Sequence, residues 1–559
     1  MSNTKKNFNR RDFIKGLGLS AAAAGAVGTL PSLTACTTAN AENKQKDEPV
    51  LQIGEEIAVA DTEYGKVKGF IMRGVYTFLG IPYGADTSGK NRFMPPVKPD
   101  TWEGIRPAVF YGNSAPQRIY DRSTTSYGAF IDHWNYDELS ENCLTINVWT
   151  NGIADGKRRP VIVWLHGGGF TSGNGIEQDG YHGENIARAG DVVYCSINHR
   201  LGAFGFSDLS IAGEKYKDSG NVGMLDMIAA LRWIHDNIAN FGGDPDNVTI
   251  IGQSGGGAKV CVLAACPQAK GLIHKGIALS GSSISANNKE YAVKLGEYIL
   301  KEAGLTPATA DKLQELPWEK YLEIAGRAQQ KAREANINSG NRRGGFSPVA
   351  DGVYLPTGTF FEEPLPNSPD IPMIFCTTFH EQSPSRTDAA VENITKEEVV
   401  DRIKGFYAEK APTIVEAYAK NFPEAKPVEL LALINSNRLS VVNSATAKLK
   451  QQSPVWMAWF GFCPPLFDGR MRAFHCLDIS FWFLNTDLMI THSGGGARPR
   501  ALSKKMAEAL IAFVRTGDPN CAALPHWTQF SVENGETMIL NDVCELKNDP
   551  DREARASLL

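Results

Sequence analysis

The chain has 559 residues, and 57 Lys and Arg oppose 62 Asp and Glu for a formal net charge of −5. That balance argues against a nucleic-acid partner, which needs a basic face. With 42% hydrophobic and 21% charged residues the chain is neither disordered nor a coiled coil, and its ten scattered Cys suit neither a disulfide framework nor a zinc ribbon.

The sequence opens with Asn9-Arg10-Arg11-Asp12-Phe13-Ile14-Lys15, then runs uncharged from Gly16 to Ala41, rich in Ala, Gly and Leu. Adjacent arginines before a weakly apolar stretch fit a twin-arginine export signal. Leu33-Thr34-Ala35-Cys36 resembles a bacterial lipobox, which would make Cys36 the lipidated first residue of the mature protein. Cleavage at Ala39-Asn40-Ala41 and an uncleaved anchor are the competing readings. Residues 1–36 are therefore assigned as an export signal, 37–50 as a polar tether and 51–559 as one catalytic domain. The expected location is the periplasm or cell envelope, with membrane contact only through the lipid. No other uncharged apolar run approaches the ~18–20 residues that span a bilayer.

Short apolar runs then alternate with helical patterns. Pro160–Leu165, Asp191–Ile197, Asn247–Ile251, Gly276–Leu279 and Ile371–Cys376 suit parallel strands buried on both faces. Between the second and third, Leu225, Ile228, Leu231, Ile234 and Ile238 recur at helical spacing, and Gly242-Gly243 stops that helix. Residues 286–345, 395–435 and 500–516 read as further helices that could roof a site. Strands alternating with helices imply an α/β fold, a mostly parallel sheet with helices on both faces.

Gly252-Gln253-Ser254-Gly255-Gly256 is the only G-x-S-x-G in the chain. It directly follows one predicted strand and precedes a predicted helix over Ala258–Ala265. Strand, sharp turn and helix form the setting of a nucleophile elbow. The turn needs small residues two before and two after the Ser, and the new helix favours negative charge near Ser254. His166-Gly167-Gly168-Gly169-Phe170 follows another predicted strand. A glycine run lets bare backbone N–H groups approach a developing oxyanion. Gly168, Gly169 and Gly255 are the assigned donors.

Together these segments resemble the type-B carboxylesterase family, which also includes cholinesterases and the non-catalytic neuroligins. The resemblance spans roughly residues 60–545. Its landmarks include Phe78-Leu-Gly-Ile-Pro-Tyr-Gly84, Ser140-Glu-Asn-Cys-Leu-Thr-Ile-Asn-Val148, Asn198-His-Arg-Leu-Gly202 and Phe513-Val-Arg-Thr-Gly-Asp-Pro-Asn520. It implies an α/β-hydrolase fold with Ser, Glu and His in that chain order.

The resemblance places the base at His475 in Met471-Arg-Ala-Phe-His-Cys-Leu-Asp478, with Asp478 where the motif usually carries a Glu. His492 is its competitor, and His526, before Trp527, is read as structural. It places the acid at Glu381 in Phe375-Cys-Thr-Thr-Phe-His-Glu-Gln382, where Cys376, His380 and Gln382 depart from the family pattern. Asp351 is the nearest rival acid but resembles a structural turn. Gln253 replaces the Glu that cholinesterases carry before the nucleophile, which weakens the case for a cationic substrate. Ala115 stands where many relatives carry the disulfide partner of Cys143. Trp134 falls in a stretch that can line the gorge in relatives, but surface or core packing is its expected role. Ser280 and Ser282, after the strand Gly276–Leu279, are candidates to support the triad through hydrogen bonds, with simple turn capping as the equal alternative.

The implied function is a serine carboxylic-ester hydrolase that works through a Ser254–His475–Glu381 triad and an acyl-enzyme on a moderately apolar ester. No metal or organic cofactor is called for. The expected partner is a small-molecule ester. An acyltransferase with the same triad, and a non-catalytic binding module on the fold, are the alternative readings.

Overall fold

The computed structural model describes residues 49–119, 135, 138–337 and 344–559. The export signal, Cys36, most of the tether and Trp134 lie outside the described residues. Near the start, Val59–Thr62 (β2), Gly65–Lys68 (β3) and Ile105–Pro107 (β6) make a small sheet of their own. Asn287–Asn288 (β12) and Val349–Ala350 (β13) pair with each other.

The main sheet has twelve strands. In spatial order they are Leu51–Gln52 (β1), Phe70–Met72 (β4), Val75–Pro82 (β5), Thr145–Thr150 (β7), Val193–Ile197 (β9), Arg159–Leu165 (β8), Gly243–Gln253 (β10), Lys275–Leu279 (β11), Met373–Thr378 (β14), Val455–Phe460 (β15), Glu536–Leu540 (β16) and Glu545–Asn548 (β17). From β9 through β16 every neighbour is parallel. The strands outside that block pair antiparallel. The five predicted strands are β8, β9, β10, β11 and β14, each shifted by a few residues.

The continuous apolar runs have a direct cause. Side chains alternate between faces along a strand, and both faces of β8 are covered. Val161, Val163 and Leu165 join the core with the helices Val222–Asn237 and Gly255–Ala265. Ile162 and Trp164 join the opposite core with Leu502, Met506, Leu510 and Phe513 of Ala497–Thr516. Each such buried aliphatic side chain contributes roughly 1.5–3 kcal/mol.

The helix Val222–Asn237 ends as expected, with Gly242 at φ +72° after a short 3-10 turn. Its inner face differs in detail. Met224, Met227 and Trp233 are buried beside Ile228, Leu231 and Ile234, whereas Leu225 is only half-buried. Strand ends matter most for the site. Leu165 pairs with Gly252, Gln253 with Leu279, and Leu279 with Cys376. The glycine loop, Ser254, Ser280 and the Glu381 turn therefore all leave one edge of the sheet. Residues 49–559 form one compact unit, and no helix among the described residues is long and apolar enough to cross a membrane.

Candidate active site

Ser254 sits at the turn between β10 and the helix Gly255–Ala265, with φ +57° and ψ −121°. This conformation is strained for a residue with a Cβ, and such strain persists where surrounding structure over-determines it. Here the Ser254 N–H donates to Leu279 O at 2.8 Å and Ala258 N–H donates to Ser254 O at 3.1 Å. A methyl group on Gly256 would collide with Leu165 O, and one on Gly281 with Ser254 O. The sharp turn is thus possible only because bare backbones meet there.

The glycine loop lies against this elbow. A methyl group on Gly255 would collide with the Gly169 backbone, and one on Gly167 would lie 3.5 Å from Ser254 Cβ. Gly168 and Gly169 both have positive φ, +74° and +63°. Thr171 and Ser172 N–H groups close the loop on Gly168 O. The Gly168 and Gly169 N–H groups enter no backbone hydrogen bond among the described residues. Backbone donors left unpaired beside a serine are available to a developing oxyanion.

Glu381 and His475 meet across 94 residues, with His475 Nδ1 donating to Glu381 Oε2. The other carboxylate oxygen accepts from Thr377 Oγ1 and from Thr378 N–H at 3.0 Å. Burial pushes the Glu381 pKa up, but His475, Thr377 and Ser280 hold it below the usual carboxylate value. Burial likewise opposes a charge on His475, yet Cys476 and Glu381 outweigh it and raise the imidazole well above its ordinary range. The acid and base loops are also stitched by backbone. His380 N–H donates to Ala473 O at 3.0 Å, and His475 N–H to Glu381 O at 3.3 Å. Ala473 N–H returns to His380 Nδ1 at 3.4 Å. The His that departs from the family pattern at position 380 therefore fastens one loop to the other.

Ser254 Oγ has no hydrogen-bond partner among the described residues. Instead, Gln253 Nε2 lies 3.3 Å from both ring nitrogens of His475. Cys476 Sγ donates to Gln253 Oε1 at 3.2 Å. A nucleophile–base bond commonly tightens only when substrate is bound. The roles of Gln253 and Cys476 carried no signal in the sequence beyond the Glu-to-Gln departure.

The remaining predicted residues divide. Ser280, at φ +46°, faces the Glu381 carboxylate without a bond of ordinary geometry. Ser282 pairs with Ser440 at 3.2 Å. Asp351 caps a turn, accepting from the N–H groups of Val353, Tyr354 and Leu355. His492 is buried against Phe474. Asp478 is fully enclosed, and burial with the Glu381 charge pushes its pKa up to about 7. None of the nine described Cys forms a disulfide, Cys143 included. A cavity of about 450 Å³ opens beside the glycine loop, with Thr171, Ser172, Leu322, Ala325, Arg333 and Phe346 in its wall.

A parallel-centred sheet covered on both faces, with a strained serine at a strand–helix elbow, defines an α/β-hydrolase. Residues 56–556 match the model of the carboxylesterase family, and the chain belongs to that family. It is a carboxylic-ester hydrolase. A para-nitrobenzyl esterase of Bacillus subtilis (strain 168) is 33% identical over 89% of this chain and 98% of its own length. A phenmedipham hydrolase of Pseudarthrobacter oxydans is 31% identical over 87% and 95%. Among solved structures, an esterase of Clostridium hathewayi superposes with a TM-score of 0.77 at 32% identity, covering 90% of this chain and 98% of that one.

Proposed function

We propose that Ser254 is the nucleophile, His475 the general base and acid, and Glu381 the residue that fixes the imidazole. The carboxylate–imidazole pair beside the strained elbow carries this reading. Glu381 holds the proton on Nδ1, which leaves Nε2 as the acceptor. Ser254 Oγ attacks the ester carbonyl carbon as its proton passes to Nε2. The carbonyl oxygen becomes an oxyanion and receives the N–H groups of Gly168, Gly169 and Gly255, each such donor being worth about 3–4 kcal/mol of barrier. The C–O bond to the alcohol breaks, and His475 returns the proton to the departing oxygen. Water, activated by the same nitrogen, then releases the acid from the acyl-enzyme.

The substrate is a moderately apolar ester of modest size. The relatives support this, one a para-nitrobenzyl esterase and another an esterase that hydrolyses aliphatic aromatic polyesters. Gln253 in place of a carboxylate argues against a cationic alcohol. Export by the twin-arginine route and lipid anchoring at Cys36 complete the reading, resting on Arg10-Arg11 and the Leu33–Cys36 segment. In this reading residues 51–559 form the whole catalytic domain.

A p-nitrophenyl acyl series from acetate to dodecanoate tests the proposal. Turnover should peak at short or intermediate acyl length, and Ser254→Ala should cut kcat on the order of 10⁴–10⁶-fold. Near-normal turnover by that variant would remove Ser254 from the mechanism.

A further inference from the structure

Behind the glycine loop lies a charged side chain that the hydrolytic cycle does not use. Lys259 stands on the helix Gly255–Ala265, five residues after Ser254, and is fully buried. Its Nζ donates to His166 O at 2.8 Å and lies 6.0 Å from the centre of the Phe170 ring. The side chain therefore bridges the first and last residues of His166-Gly-Gly-Gly-Phe170.

His166 extends the connection. It is 1% exposed, and its Nδ1 lies 3.0 Å from Gly167 O. A carbonyl oxygen only accepts, so Nδ1 carries the proton. Gly167 O and the Gly168 N–H belong to one rigid, planar peptide unit. A donor on the carbonyl fixes the plane of that unit and polarises the N–H at its other end.

A buried amine is an expensive way to fill space, because desolvation penalises the charge. Burial pushes Lys259 down to about 7 against the pull of Glu177. The imidazoles of His166 and His199 stack 5.1 Å apart, and burial together with Lys259 holds both well below their usual range. Charged or neutral, the amine keeps an N–H to donate. A Met or Leu would fill the same volume without the penalty but would leave His166 O without this donor.

We propose that Lys259 is a positioning residue of the glycine loop, acting through His166 to aim the Gly168 and Gly169 N–H groups at the oxyanion. The inference rests on the assignment of those groups as oxyanion donors. Its test compares full-length wild type, Lys259→Met and Lys259→Gln on p-nitrophenyl butyrate and on a trifluoromethyl ketone of the same chain length. The ketone adds a serine to give a tetrahedral oxyanion, so it reads the loop directly.

In Lys259→Met, kcat should fall about 10–100-fold while KM stays within about threefold, and ketone affinity should weaken in the same proportion as kcat. Thermal midpoint and near-UV circular dichroism check that the fold is intact. Lys259→Gln keeps a donor and should lose less, with kcat and ketone affinity still moving together. It carries the test alone if the Met variant does not fold. Unchanged kcat, a rise in KM alone, or ketone affinity that stays at the wild-type value overturns the proposal. Wild type that the ketone fails to inhibit would instead remove the serine–oxyanion reading beneath it.

Discussion

Burial disfavours a charge on His475, while Cys476 and Glu381 favour it. Glu381 lies on its Nδ1 and favours the imidazolium. The Gln253 amide, 3.3 Å from both ring nitrogens, presents a neutral donor in place of a carboxylate. Hydrolysis needs the neutral ring, so activity is lost as pH falls through the His475 pKa. Glu381→Gln removes the charge that raises that pKa. Its acid limb should move to lower pH, while kcat drops on the order of 10²–10⁴-fold because the tautomer is no longer fixed. Gln253→Glu adds a carboxylate at the ring and should move the acid limb the other way, to higher pH. Profiles of kcat/KM against pH for the two variants check both signs; limbs that shift together would refute the assignment.

At the scale of elements, the elbow and the glycine loop are one backbone assembly. Gly256 meets Leu165 O, Gly255 meets the Gly169 backbone and Gly281 meets Ser254 O, with no room for a methyl group at any of them. Gly256→Ala must push strand and helix apart, and we expect loss of turnover together with destabilisation of at least about 2 kcal/mol, the scale of overpacked cores. Gly405 is the control. It lies inside the helix Lys396–Tyr407 with open space around it, and Ala there should stabilise by about 0.5–1 kcal/mol. Urea unfolding of both variants reads the contrast.

The same scale explains what the sequence could carry. Ser254 and the His166–Gly169 run were readable because each follows a strand directly and its strand, turn and helix are local in the chain. The buried strands were readable because both sheet faces are covered. The Gln253–His475 contact joins residues 222 apart, and no periodicity encodes it. Ser282 was grouped with Ser280 from a shared turn, yet its hydroxyl pairs with Ser440, 158 residues away in the chain. Lys259 is one polar residue in a predicted apolar helix, and the carbonyl it meets belongs to a segment 93 residues away. His380 was visible only as a departure from a pattern; the backbone pairing with Ala473 that gives it a purpose exists only in the fold.

Across the whole molecule, the residues from Pro49 onward form one compact unit, and in the reading proposed above the preceding residues serve delivery. Cys36→Ser should release the protein from membranes into the soluble envelope fraction with unchanged kcat per folded molecule. Fractionation followed by ester turnover measures both. A variant that stays membrane-bound would favour an uncleaved anchor, and one that loses turnover would tie the leader to the active site.

The central claim is that one serine, Ser254, carries the chemistry. The most direct measurement is titration of the purified enzyme with a serine-directed organophosphate, followed by peptide mass mapping. One adduct per chain is expected, on the peptide containing Gly252–Gly256, with turnover of p-nitrophenyl butyrate falling in step with labelling. Turnover that survives full labelling, or an adduct on another serine that tracks the loss of activity, would contradict it.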